Sequence, residues 1–127
     1  MNIEEIRAYC LGKKGVEESL PFDDSTLVFK VGNKMFALLG LGKKILNLKC
    51  EPERAMELRD EYSAITEGYH MSKKHWNSIW VEQGLKSELI IELIEHSYEL
   101  VVASLPKRIR EELATKQSPA TKNRLPR

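Results

Sequence analysis

The chain has 127 residues, 42% of them hydrophobic and 31% charged, with a formal net charge of +1. That length fits one domain able to bury its own core, and no apolar run approaches the roughly 20 residues of a membrane-spanning helix. Two cysteines are too few for a disulfide framework, and the acidic, amphipathic residues 1–6 lack the features of a secretory leader, so a cytoplasmic protein with reduced thiols is expected.

Residues 2–11 read as a helix. Asn2 can cap it, Glu4 and Glu5 lie in its positive first turn, Ile3, Ile6 and Cys10 share a face, and Gly12 ends it. Residues 16–20 follow Gly15 as a short edge strand, and Pro21, Asp23 and Asp24 make a turn. Residues 26–31 and 34–39 are two β-branched or aromatic runs around Gly32-Asn33, the signature of a two-residue hairpin. After a turn at 40–43 comes the strand 45–50. Its Leu46, Leu48 and Cys50 point one way and Asn47 and Lys49 the other, so the sheet has one wet face, which Lys30 joins.

Glu51-Pro52 opens a second helix, with Ala55, Leu58 and Tyr62 as its buried stripe. Residues 64–67 and 75–81 read as two further strands joined by the loop 68–74. In the second, Trp76, Ser78 and Trp80 alternate with Asn77, Ile79 and Val81, so both faces carry bulk. Ser87 is the expected N-cap of the longest helix, whose apolar stripe runs from Leu89 to Leu105 before Pro106 ends it and a final turn runs through Leu113. Residues 115–127 are polar, basic and aperiodic, and read as a disordered tail after a single domain at 1–114. The expected class is α+β, an antiparallel sheet of five or six strands with helices packed on it.

Charge is segregated by element. The helical stretches 51–61 and 85–100 are acidic, whereas 25–50 carries Lys30, Lys34, Lys43, Lys44 and Lys49 and no carboxylate. One reading is ordinary solvation with helix-dipole pairing. The other is an electropositive sheet face for an anionic partner. Residues 68–77 sharpen the second reading, because they gather His70, His75, Lys73, Lys74, Tyr69 and Trp76 without an acid. Lysines offer ammonium donors to phosphates, and the flat rings can stack. The bland alternative is that Trp76 packs in the core and the loop is tied down by hydrogen bonds.

Catalytic chemistry finds little support. His70 and His75 are five apart, an offset that converges on one metal ion in neither a strand nor a helix. His96 reads as partly exposed helix surface. Neither cysteine belongs to a Cys-x-x-Cys pair, no nucleophile has a visible triad, and no phosphate loop or dinucleotide fingerprint occurs. No enzyme activity, metal or cofactor is expected.

Four segments carry a resemblance: 27–38, 48–55, 68–77 and 97–101. Together they resemble the MmcQ/YjbR-like family of small bacterial proteins, over about residues 2–113, with Tyr69 to Asn77 as the most specific part. The resemblance implies a CyaY-like, or double-wing, arrangement of an antiparallel sheet with helices. It also implies a DNA-binding label, which the family carries chiefly by fold comparison. Glu67 stands where the family usually has proline, and Ser72 where it has asparagine. The expectation is a monomeric, membrane-free module that binds DNA through Lys30, Lys34, Lys49, Tyr69, His70, Lys73, Lys74 and His75. A protein-interaction adaptor using the same surface is the alternative.

Overall fold

A computed structural model describes residues 1–115. In chain order they form α1 (Ile3–Leu11), β1 (Val16–Ser19), β2 (Thr26–Val31), β3 (Lys34–Gly40), β4 (Ile45–Lys49), α2 (Pro52–Glu61), β5 (Ile65–Glu67), β6 (Trp76–Trp80), α3 (Ser87–Ala103) and α4 (Lys107–Thr115). The strands make one six-stranded sheet in the order β1-β2-β3-β4-β6-β5, every pairing antiparallel. Among the described residues no helix is long and apolar enough to cross a membrane.

Strand alternation sorts the side chains into two layers. Leu27, Phe29 and Val31 of β2, Ala37 and Leu39 of β3, Leu46 and Leu48 of β4, and Ile79 of β6 share one core with Ile6, Ala55, Ile90, Leu93, Ile94 and Val101 of the helices. The opposite face holds a second, smaller cluster of Val28, Leu38 and Trp76, edged by Met35 and Met71. Helices therefore cover one side of the sheet only. The other side is finished by the loop between β5 and β6.

The β2–β3 hairpin turns on Gly32 and Asn33, both left-handed with φ of 56° and 69°, the conformation of a type I′ turn. A Cβ on Gly32 would lie 2.5 Å from Leu105 Cδ1, so glycine also lets the end of α3 close over the turn. The strands do not zip in simple register. Lys30 pairs with Met35 and Phe29 with Ala37, which leaves Phe36 as the extra residue of a β-bulge. Phe36 and Ala37 consequently both enter the helix-side core, where Phe36 meets Tyr98 edge to face at 5.4 Å.

Ser97 repairs the bulge. Its side chain is fully buried on α3, where its Oγ donates to Phe36 O at 2.5 Å and accepts from Lys49 N at 2.9 Å. The β3–β4 register ends at Ala37–Leu48, so both backbone groups lie just beyond the ladder. A serine in the apolar stripe is thus the hydrogen-bond partner the sheet lacks at that point.

Other expectations needed adjusting. Asn2 caps α1 as read, in a reciprocal capping box with Glu5. The N-cap of α3 is Lys86, with Ser87 already inside the helix and no side-chain cap bond. The final turn is a nine-residue helix, α4, which ends at Thr115, the last described residue. The tail expected over 115–127 otherwise lies outside the described residues. Cys10 and Cys50 are both free and buried, and desolvation pushes the Cys10 thiol up to about 12.

Candidate functional site

The uncovered face of the sheet follows from the register. Its rows are Thr26–Gly40–Ile45–Trp80, Val28–Leu38–Asn47–Ser78–Thr66, and Lys30–Met35 alongside Lys49–Trp76. From β2 to β6 this face carries two lysines and no carboxylate. Acids stand at its margin: Glu17 on edge strand β1 is directly across from Lys30, and Glu112 of α4 lines the same hollow as Lys30. The acids of α2 and α3 lie on the other layer, where Glu92 and Glu95 pair with Arg54 and Lys13.

Gly68 starts the β5–β6 loop because nothing larger fits: a Cβ there would lie 2.8 Å from Trp76 Cβ and 3.0 Å from Trp76 O. From this point the loop folds over the open face. Tyr69 N donates to Ser78 Oγ at 2.8 Å, and Ser78 Oγ in turn donates to Asn47 Oδ1. Those two polar residues explain why Ser78 is fully buried on a face without a helix. Arg59 of α2 secures the far end, donating from Nη1 to Lys73 O and to Asn77 Oδ1, each at 3.0 Å. Asn77 Nδ2 donates to Ala55 O, which ties the loop's base to the second helix.

The predicted residues divide. Lys49 and Trp76 are cross-strand partners, and Cys50 N donates to His75 O at 2.8 Å, so Lys49, His75, Lys73 and Lys74 gather at one end of β4 and β6. Lys73 and Lys74 line a shallow hollow with Arg59 and Met56, a methionine that is 59% exposed. Lys73 faces Glu67 at 3.9 Å, whereas among the described residues Lys49 and Lys74 make no ion pair. Lys30 shares the face but stands opposite Glu17. Lys34 does not belong to it. Paired with Val31, it points to the helix layer, and its Nζ reaches Ser104 Oγ at 3.4 Å. The two-residue turn pairs Lys30 with Met35 and Val31 with Lys34, so Lys30 and Lys34 fall on opposite faces.

Tyr69 and His70 sit at the opposite end of the loop. Their rings are 4.2 Å apart at 56°, and His70 adopts a left-handed φ of 58°. Lys43, from the β3–β4 turn, places its Nζ 4.8 Å over the Tyr69 ring. The sequence signalled this only as one lysine among five in a basic run. Asn47, Ser78 and Arg59 were also missed as loop anchors. A buried polar residue in the middle of an apolar strand, as at 77 and 78, is the signal that could have found them.

The YjbR family model matches residues 11–100. The chain belongs to the YjbR family. It is 31% identical over 113 residues to YjbR of Escherichia coli K12, covering 87% of this chain and 96% of that protein. It is 39% identical over 95 residues to YbdF of Escherichia coli O157:H7, covering 73% and 78%. The crystal structure of Deinococcus radiodurans DR2400, a DUF419-domain protein, superposes with a TM-score of 0.84 at 38% identity, covering 92% of this chain and 91% of that one. A Pseudomonas syringae protein superposes at 0.69 and 26% identity, covering 80% and 99%. Both Escherichia coli proteins are described as uncharacterized, so membership in the YjbR family brings a fold and leaves the activity to be argued from the surface.

Two features of this YjbR-family chain belong to the helix layer and are structural. Lys13 Nζ bridges to Glu95 at 2.5 Å and Tyr9 donates its hydroxyl to the same carboxylate, which locks α1 to α3. Burial and the Glu95 contact push Tyr9 up to about 12. His96 Nε2 accepts from Glu51 N at 3.2 Å, at the entry to α2. Burial, and then the Arg54 guanidinium, hold His96 below its ordinary 6.5. The unfolded chain therefore binds this proton more readily, and stability is lost as pH falls below about 6.5. Urea unfolding at stepped pH should show that loss, and His96→Gln, which keeps an acceptor without titrating, should flatten it.

Proposed function

We propose that this protein is a cytoplasmic, non-enzymatic module that binds nucleic acid, DNA in the first instance, across the uncovered sheet face and the β5–β6 loop. One observation carries the reading: from β2 to β6 the open face carries Lys30 and Lys49 and no carboxylate, and the Cys50 N–His75 O bond sets the end of the loop that bears Lys73 and Lys74 against the end of β4. Phosphates are the ligands that mobile ammonium groups at an open surface suit, since such contacts need no fixed geometry. Tyr69, His70 and His75 add rings at both ends of the loop. The buried, free thiols of Cys10 and Cys50 suit a reducing compartment.

Three phosphate contacts, from Lys49, Lys73 and Lys74, give an expected salt slope near −2.7, or about a forty-fold loss of affinity between roughly 50 and 200 mM salt. Fluorescence anisotropy with labelled oligonucleotides at stepped salt measures it. A chain that binds neither single- nor double-stranded DNA at the lowest salt ends the proposal.

A further inference from the structure

We propose that the hollow between Tyr69 and the β3–β4 turn receives one unpaired nucleobase with its phosphate, so that the open face prefers single-stranded to paired nucleic acid. This rests on the nucleic-acid reading above and adds a strand form and a place for the base. The hollow has a volume of about 250 Å³ and is lined by Thr26, Gly40, Lys43, Ile45, Asn47 and Tyr69. Pockets for drug-sized ligands run to roughly 300–1,000 Å³. A space below that range suits a single planar ring.

Its chemistry matches the two characters of a base. Ile45, 5% exposed, and the bare backbone of Gly40 offer apolar contact to a ring face. Asn47 offers an edge: its Oδ1 already accepts from Ser78, so its Nδ2 protons are the donors left for a base carbonyl or ring nitrogen. Tyr69, about half exposed, forms the aromatic wall, with Lys43 Nζ over its ring and 3.4 Å from its hydroxyl. A cation resting on an aromatic face holds the place of a ligand with the same two needs. A phosphate draws the ammonium off the ring, and the uncovered face takes the base.

The wall is built in advance. Tyr69 N is pinned to Ser78, Gly68 is pressed onto Trp76, and His70 pays for the tight turn with a left-handed backbone that non-glycine residues seldom adopt. In a duplex the base faces are stacked and out of reach, so only an unpaired base can enter.

The test titrates the full chain with labelled oligothymidine of about 12 nucleotides and with a duplex of equal length, expecting about tenfold tighter binding of the single strand. Tyr69→Ala should erase that preference and Tyr69→Phe should keep it. Thymidine 5′-monophosphate, but not inorganic phosphate alone, should shift the NMR signals of the Asn47 side-chain amide. Equal affinity for both strand forms, or Tyr69→Ala indistinguishable from the parent while reversal of Lys49 and Lys74 abolishes binding, overturns the base site and leaves the interface standing. Failure of the parent chain to bind any oligonucleotide overturns both.

Discussion

Ser97→Ala is expected to lower the free energy of unfolding by about 2–4 kcal/mol, far more than loss of a surface hydroxyl. The change removes one oxygen and leaves two backbone groups, Phe36 O and Lys49 N, facing each other without a partner. Each unsatisfied buried group costs about 1–3 kcal/mol, the upper end applying where water cannot enter. Ser97 is fully buried, so water does not simply replace the hydroxyl. Ser104 is the natural comparison. Its hydroxyl donates to Val101 O within the same helix and near its end, where water can substitute, and Ser104→Ala should cost under about 1 kcal/mol. Urea unfolding of the two variants separates them. A Ser97→Ala midpoint equal to that of Ser104→Ala would show that the bulge closes without help from α3.

The consequence reaches the surface. Lys49 presents its side chain to the open face from a backbone held on its other edge by Ser97. A relaxed bulge would move that ammonium relative to Trp76 and the loop. One buried serine on the helix layer thus sets the position of a charge on the opposite layer.

Much of this architecture was legible because its signals are local. The Asn2 capping box, the Gly32-Asn33 turn, proline at the first position of α2 and the alternation of residues 45–49 each depend on neighbours in sequence. Even the two-sided burial of β6 could be read from Trp76, Ser78 and Trp80 set against Asn77 and Ile79. What was illegible is what depends on contacts between distant segments. A bulge adds one residue without marking itself in composition, so alternation along residues 34–39 could not reveal that Phe36 and Ala37 both enter the helix-side core. Ser97 carries no local mark of its role within the stripe of α3, because its partners are 61 and 48 residues away. Lys43 and Tyr69 meet across 26 residues, which no periodicity encodes. The basic character of the site was therefore visible, and its membership was not.

Reversing Lys49 and Lys74 together should weaken DNA binding by roughly 100-fold at low salt. A charge-assisted bond to phosphate contributes about 1.5 kcal/mol at the low end, so two amount to about 3 kcal/mol, or two decades. The salt slope should also fall by about two units, because two fewer counterions are released. The decisive comparison is a double reversal with the same change in net charge placed on the helix layer, Lys34→Glu with Lys86→Glu. Long-range attraction depends on total charge and treats the two variants alike, whereas direct contact distinguishes them. If binding passes through the open face, the helix-layer variant keeps its affinity within a few-fold at about 150 mM salt, where charges beyond roughly 8 Å are screened. Equal losses in both variants would mean that the chain attracts DNA only as a diffuse charge. The carboxylate-free face from β2 to β6 would then be a solvated surface like any other.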